Sequence, residues 1–216
     1  YLIMDLLKMA DQKMYQDKAH KKIAANKKFS SRSVSAGTAI PTISSETLSE
    51  KIRQIQSNTG NTHSLALIST DVENFHFIND KYGYSLGNEI LNMVYEEIAG
   101  APFTIFTTRF FSDVFISIAD ISDLTNDAFL SEIQALDRKI CKRMRNTFHV
   151  NFFRTNSGIC LVPDADTTPE TILSCANVAR RLSKKMLSPC CIYSDEIDRQ
   201  EKMQAEILHS FHQALK

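Results

Sequence analysis

The sequence lacks an excess of charge of either sign and lacks any long apolar run. Its 216 residues carry 25 Lys and Arg against 25 Asp and Glu. That balance argues against a dedicated nucleic-acid binder, which shows a basic excess, and against a polybasic protein of the membrane surface. No segment approaches the roughly 20 apolar residues that a membrane helix requires. We therefore expect neither a nucleic-acid partner nor direct membrane contact.

The cysteines do not form a pattern typical of a disulfide framework or a zinc site. There are five, an odd number, and no two of them form a C-x-x-C pair. Cys190 and Cys191 are adjacent within an apolar, strand-like stretch. This usage predicts buried, reduced thiols and a cytoplasmic protein. That location includes the cytoplasmic part of a membrane-anchored sensor.

What is present is ordinary globular composition, with 43% hydrophobic and 23% charged residues. The chain begins with Tyr1 rather than Met, which indicates a piece of a longer protein. Hydrophobic spacing and the distribution of Ser, Gly and Pro divide it into a helix, a linker, a central unit and a helical tail. These segments cover residues 1–24, 25–45, 46–194 and 195–216.

The central unit alternates strand-like and helix-like stretches. Residues 65–68 form a continuous apolar run, which predicts a strand covered on both faces. Apolar residues at helical spacing predict three helices, and further strands are predicted between and after them. The strands fall at residues 65–68, 103–108, 114–118, 148–162 and 190–193. The helices fall near residues 90–98, 129–144 and 172–186. We read the strand-rich stretch as one element, so the order β-α-β-β-α-β-α-β predicts an α+β fold with a mixed sheet flanked by helices.

Two acidic residues are placed where they could act together. Asp71 follows the first predicted strand, and Asp113 lies in the turn of the later hairpin. Carboxylates brought together from separate strand ends could hold a divalent metal against a triphosphate. In the alternative interpretation Asp71 caps the following helix and Asp113 only serves the turn. Spacing alone favours the structural roles.

Residues 71–88 resemble the nucleotide-binding half of the GGDEF domain, the family of bacterial diguanylate cyclases. Its pattern D-x-D-x-F-K-x-x-N-D-x-x-G-H-x-x-G-D is matched in register at Asp71, Phe75, Asn79, Asp80, Gly83 and Gly87. Residues 109–115 stand where the family has its signature hairpin, R-x-G-G-D-E-F. Residues 156–159 and 176–184 resemble its serine-glycine strand and its last helix. Four motifs in one order identify residues 46–194 as a degenerate member.

The resemblance implies a nucleotide-cyclase-like fold, of the palm or ferredoxin-like type, and a set of site residues. In the family, two GTP molecules are joined across a homodimer to make cyclic di-GMP. Carried over by position, the metal ligands would be Asp71 and Asp113. The nucleotide contacts would be Phe75, Asn79, Asn88 and Lys184. The implied ligands are GTP and Mg²⁺, and the implied assembly is a homodimer.

The signature hairpin departs from a working cyclase. It reads Phe111, Ser112, Asp113, Val114 and Phe115, so both glycines and one acid are replaced. With one hairpin carboxylate left, we expect one Mg²⁺ ion at most. Phe111 would place a ring where the ribose and phosphates should lie, and phenylalanine tolerates a positive φ poorly. We therefore assign no catalytic residue in this hairpin.

Recognition of guanine and phosphate is weakened as well. Asn88 stands where the family has an aspartate, and loss of that charge-assisted pair costs roughly 1–3 kcal/mol. Ser188 stands where the family has a phosphate-binding arginine. The family's R-x-x-D feedback site would fall on Pro102 and Ile105, which cannot bind in that way. The basic run at residues 180–185 is interpreted as a solvated helix face.

These departures predict a catalytically inactive GGDEF-like domain in a cyclic di-GMP signalling protein. It would act as a regulatory or dimerising module with room for weak GTP binding. Two alternatives stay open: a diguanylate cyclase with residual activity, and an interaction scaffold without a ligand. Residues 6–18 are similar to the last helix of another GGDEF domain. Residues 199–215 are similar to a helix that leads into an EAL phosphodiesterase domain, so both domains are expected as neighbours in the parent chain.

Overall fold

The computed structural model describes residues 40, 43–58, 64–164, 166–200, 203 and 207. The predicted helix over residues 1–24 and the predicted linker up to residue 39 lie outside this part of the chain, as does most of the predicted tail. Residues 195–200 are helical. In the described ranges no helix combines the length and the apolar character needed to cross a membrane.

The described helices and strands reproduce the predicted α+β order, with two additional helices. The helices are α1 (Ser45–Asn58), α2 (Phe75–Tyr82), α3 (Tyr84–Ala99), α4 (Asn126–Phe148) and α5 (Pro169–Lys185). The strands are β1 (Leu65–Val72), β2 (Thr104–Phe111), β3 (Val114–Asp120), β4 (Thr155–Leu161) and β5 (Cys190–Ile192). The sequence interpretation missed α1 and α2. Gly83, with φ at 85°, separates α2 from α3, because only glycine takes this conformation without steric cost.

The strands form one five-stranded mixed sheet in the order β2-β3-β1-β4-β5. Strand β1 pairs antiparallel with β3 and β4, β2 pairs antiparallel with β3, and β5 pairs parallel with β4. Every residue of β1 is buried, as its apolar run predicted. The predicted strand over residues 148–162 begins only at Thr155, because α4 extends to Phe148 and ends at His149 in the left-handed conformation.

Asp71 lies inside β1 rather than after it. It pairs with Val114 of β3 on one side and with Asn156 of β4 on the other. The residue that precedes α2 is Asn74, in the left-handed conformation, so the interpretation of Asp71 as a helix cap is wrong. Pairing with a strand on each side therefore places the Asp71 carboxylate on a fixed face of the sheet.

Helices cover both faces of the sheet. On one face Leu65 and Leu67 pack with residues of α1 and α5. On the other face Val72 packs with residues of α3 and α4. Because side chains two apart in a strand point to the same face, Asp71 shares the face of Leu65 and Leu67. The helix that covers this face beside Asp71 is α5.

Helix α5 lies very close to strand β4. A Cβ atom at Gly158 would come within 2.1 Å of the Ala176 carbonyl oxygen and 2.1 Å of the Arg180 amide nitrogen. Both are backbone atoms, so a larger residue at 158 could not be accommodated without moving the helix. This close approach brings Arg180 over the end of the sheet where Asp71 lies.

Candidate nucleotide and metal site

An ion pair between α5 and β1 occupies the centre of the candidate site. Arg180 Nη1 lies 2.7 Å from Asp71 Oδ2, and the two side chains are 20% and 12% exposed. Asn156 donates from Nδ2 to the other oxygen, Asp71 Oδ1, at 3.3 Å. Both carboxylate oxygens thus have partners within the protein. The interpretation of the basic run as a solvated face is wrong for Arg180, although Arg181, Lys184 and Lys185 are exposed as expected.

Asp113 lies in the turn between β2 and β3, as predicted, and at the same end of the sheet as Asp71. Its carbonyl oxygen accepts a hydrogen bond from the Val72 amide at 3.3 Å. Burial raises the pKa of the Asp113 carboxyl above its ordinary value, and the negative charge of Asp71 raises it further. Its backbone hydrogen bond, Ser112 and Arg180 act in the opposite direction without cancelling the shift. The structure therefore brings together the two carboxylates predicted as metal ligands.

The hairpin adopts its turn without straining Phe111. The positive φ falls on Ser112, at 40°, and Phe111 is the last residue of β2, paired with Val114 after a register shift that follows Arg109. The Phe111 ring is 51% exposed, and its centroid lies 4.0 Å from that of the Phe110 ring. Val114 stands opposite Asp71 in the strand register, and Phe115 is fully buried in the core. An apolar side chain therefore replaces the second acid of the family hairpin.

The predicted nucleotide contacts lie near the junction of α2 and α3. Phe75 is 6% exposed and packs in the core, so its position supports packing rather than ligand contact. The Asn79 side chain lies against Gly87, since a Cβ there would come within 2.0 Å of Asn79 Oδ1. Asn88, at the start of the second turn of α3, is exposed. Glycine at 87 is therefore what allows Asn79 to lie across the start of α3.

The remaining predicted contact, Lys184, is on α5. It is exposed and lies one turn after Arg180, on the same side of the helix. Ser188, in the place of the family arginine, is engaged locally: its hydroxyl donates to the Cys190 carbonyl oxygen at 2.9 Å. Its own carbonyl oxygen accepts from the Ser183 hydroxyl at 2.7 Å. Ser188 thus stabilises the turn from α5 into β5.

This arrangement does not fit a bound Mg²⁺ ion. Magnesium requires oxygen ligands in near-ideal octahedral geometry and binds proteins through one or two carboxylates. Here one Asp71 oxygen faces a guanidinium and the other faces an amide N–H group. In the ranges that the structure describes, no group of three or more His, Cys, Asp and Glu side chains could hold a metal ion, so an ion here would depend on Asp71 and Asp113 alone. A cation at Asp71 would first have to displace Arg180.

Sequence reasoning missed Arg180 and Asn156 as parts of this site. A signal was present: Arg180 continues the row of Ile172 and Ala176 at intervals of four, and both of those residues are fully buried. That row points toward the sheet, so a charged residue in it needs a buried partner. Which carboxylate would be the partner depends on the strand order and register.

Comparison with known proteins assigns the family. The chain matches the family described as "Diguanylate cyclase, GGDEF domain" over residues 44–186, which is more than half of its length. It therefore belongs to the GGDEF domain family, and the α+β fold and family assignment derived from the sequence are confirmed.

Individual relatives agree with this assignment. The chain is 25% identical over 173 residues to the bifunctional diguanylate cyclase/cyclic di-GMP phosphodiesterase MucR of Pseudomonas aeruginosa; the match covers 78% of the chain but 25% of MucR. The fold is similar to the active GGEEF domain of a Vibrio cholerae diguanylate cyclase, with a TM-score of 0.60, 18% identity and coverage of 70% and 97% of the two chains. It is also similar to the coiled coil and GGDEF domain of DgcB from Caulobacter crescentus in complex with c-di-GMP, with a TM-score of 0.57, 14% identity and coverage of 86% and 96%.

Proposed function

We propose that this chain is a catalytically silent GGDEF domain of a bacterial cyclic di-GMP signalling protein. It acts as a regulatory and dimerising module and retains weak binding of GTP. The observation that carries this proposal is the set of groups that surround the Asp71 carboxylate. Its carboxylate pairs with Arg180, and Val114 stands opposite it where the family hairpin has an acid.

The chemistry of the family explains why these two features matter. Joining two GTP molecules requires cations that neutralise the triphosphate and two substrates held in line. Each Asp71 oxygen already has a partner, Arg180 or Asn156, with which a metal ion must compete, and Val114 has no oxygen in its side chain. Preorganised charge at the reacting phosphates is a large part of such catalysis, so its loss lowers the rate by orders of magnitude.

What remains of the cleft supports weak binding of nucleotide. Asn79 lies across Gly87 next to the exposed Asn88, and the exposed Lys184 can contact phosphate. Exchange of the family aspartate for Asn88 costs roughly 1–3 kcal/mol, a loss of about 5- to 150-fold in affinity. A ligand bound this weakly can still act as an allosteric input to a neighbouring domain.

The neighbouring domain that we propose is an EAL phosphodiesterase in the same cytoplasmic protein. The relative MucR is described as combining cyclase and phosphodiesterase activities, and the matched region is a quarter of its length. A second GGDEF domain before residue 40 is proposed from the resemblance of residues 6–18. Sequencing of the parent gene on both sides of this chain tests both proposals directly.

A cyclase with residual activity is the alternative that one observation favours. Asp71 and Asp113 still lie together at one end of the sheet, close enough for their charges to interact. If GTP and Mg²⁺ displace Arg180, one ion could be held there. The scaffold alternative has less support, because Phe111 packs on Phe110 with half of its surface exposed.

The test is incubation of the purified chain with GTP and Mg²⁺, followed by mass spectrometric detection of cyclic di-GMP. We expect no product above that of a heat-denatured sample. Product that disappears in the variant D113A would establish residual cyclase activity and refute the proposal. Calorimetric titration with GTP, with and without Mg²⁺, should show weak binding in both conditions. Absence of heat in both would favour the scaffold.

A further inference from the structure

Arg180 is held in its position by the fold rather than by its own side-chain preferences. The helix backbone at Arg180 touches Gly158 of β4, and Asn177, three residues earlier, accepts a hydrogen bond from the Ser69 hydroxyl at 2.9 Å. Ser69 and Asp71 are on the same face of β1. The guanidinium therefore reaches Asp71 from a helix that is fixed to the sheet at Arg180 itself and one turn before it.

The local environment marks this arginine as a buried counter-charge. In the described part of the chain, the Nε atom of Arg180 is buried and has no hydrogen-bond partner. Burial of an unpaired donor costs free energy, and the contact with Asp71 offsets that cost. Arg181, the next residue, is exposed and offers a matched comparison on the same helix.

The negative charges near Asp71 explain the role of the Arg180 guanidinium at this end of the sheet. Two carboxylates, of Asp71 and Asp113, lie at one end of the sheet, and a cation beside them reduces the repulsion between their negative charges. In the part of the chain that the structure describes, Arg180 is the cation that forms an ion pair with Asp71. It carries its positive charge to the place where the family resemblance implies a divalent ion.

We propose that Arg180 is a built-in cation that replaces the divalent metal at the Asp71 and Asp113 carboxylates and excludes it. This inference rests on the proposed function, because it gives the physical reason for the silent site. The class of ligand that is excluded is a hard, oxygen-liganded divalent cation such as Mg²⁺ or Mn²⁺. Removal of the guanidinium should therefore uncover a divalent-cation site in a protein that otherwise has none at this place.

The experiment compares the wild-type chain with the variants R180M and R181M in the absence of nucleotide. Mn²⁺ binding is measured by electron paramagnetic resonance, and thermal unfolding is followed with MnCl₂ against NaCl of equal ionic strength. We expect R180M to bind Mn²⁺ at least about tenfold more tightly than the wild type, with a midpoint of unfolding that rises with Mn²⁺. The wild type and R181M should show the same weak binding and no Mn²⁺-specific rise.

The double variant R180M/D71N assigns the bound ion to Asp71. Since it lacks the principal ligand, it should lose the Mn²⁺ response that R180M gains. If R180M does not fold without metal, R180Q removes the charge but keeps a hydrogen-bond donor. In either variant Mn²⁺ should then restore folding, because a cation at Asp71 takes the place of the lost guanidinium.

Three results would overturn the inference. They are Mn²⁺ binding to the wild type as tight as to R180M, a folded R180M without a Mn²⁺ response, and an unfolded R180M and R180Q that Mn²⁺ does not restore. These outcomes are separate from the test of the silent cyclase. Formation of cyclic di-GMP by the wild type would refute the proposed function, whereas the Mn²⁺ measurements report on Arg180 without any turnover.

Discussion

Gly158 of β4 and Arg180 of α5 are in backbone contact: a Cβ atom at 158 would lie 2.1 Å from the Arg180 amide nitrogen and 2.6 Å from its Cα. The absence of a side chain at 158 thus sets how closely α5 approaches the sheet. That distance in turn allows the Arg180 guanidinium to reach Asp71 at 2.7 Å. The packing of α5 on β4 and the ion pair between Arg180 and Asp71 therefore both depend on Gly158.

The first prediction concerns this contact. The variant G158A should lower the free energy of unfolding by about 2–3 kcal/mol, because the added methyl group meets helix backbone that cannot rotate away. Denaturant unfolding followed by circular dichroism measures the change. G100A is the comparison, since a Cβ at Gly100 meets the Glu96 carbonyl oxygen at 3.1 Å and no closer atom. Equal losses in the two variants would contradict the proposed role of the close packing.

The second prediction concerns Val114, which faces Asp71. The variant V114E restores an acid in the hairpin but places a carboxylate directly opposite another one, which should cost up to about 1 kcal/mol of stability relative to V114Q. We expect no cyclic di-GMP from V114E, because Arg180 still pairs with Asp71. A V114E protein that is as stable as V114Q and makes product from GTP would show that the hairpin alone had silenced the site.

The third prediction concerns the ion pairs between α3 and α4. Lys139 and Arg143 contact Glu97, with closest distances of 2.8 and 2.7 Å. Burial acts to raise the pKa of the Glu97 carboxyl, but the hydrogen bonds and charges of Lys139 and Arg143 outweigh it and hold the pKa below the ordinary 4.5. Because both cations are solvent-accessible, the contribution to stability is about 1 kcal/mol.

A lowered pKa in the folded state fixes the sign of the pH dependence. The stabilisation by Glu97 is fully present above its unfolded value of 4.5 and is lost as the pH falls through the folded pKa. The variant E97Q should therefore be less stable than the wild type near neutral pH and approach it in acid. Chemical unfolding at a series of pH values tests this. A stability difference that stays constant into strong acid would show that Glu97 contributes through packing alone.

The fourth prediction concerns the thiols. All five cysteines are free, and burial raises the pKa of Cys160 to about 12 and that of Cys190 to about 11. Since the thiolate is the reactive form, both should react slowly with iodoacetamide at mildly alkaline pH and react readily in denaturant. Mass spectrometry of the digested protein identifies the labelled positions. Rapid labelling of Cys160 in the native protein would show that α5 leaves β4 under native conditions, since Cys160 is buried beneath this helix.

The elements of the fold that have strong local patterns were predictable. The apolar run that became β1 and the amphipathic helices α4 and α5 were located from periodicity, because burial on one or both faces leaves a direct trace in the residue pattern. The helix α2 was missed. Its eight residues are too short to show a clear period, and only Gly83 separates it from α3.

The conformation of the turn between β2 and β3 was not predictable from its own residues. From its residues we expected strain at Phe111, but the positive φ lies at Ser112, because a register shift after Arg109 pairs Phe111 with Val114 and leaves Ser112 and Asp113 in the turn. The position of a turn depends on the register between two strands, and a single strand does not specify that register.

The amino-acid sequence by itself determined the family, the order of the main elements and the loss of the second hairpin acid, since each of these is written in residue types and spacing. It did not determine what Asp71 contacts. Arg180 is 109 residues away along the chain, and the two meet only because strand order, register and the absence of a side chain at Gly158 place α5 over the end of β1. The tertiary structure decided this ion pair because an electrostatic contact depends on distance in space, which a linear pattern does not encode.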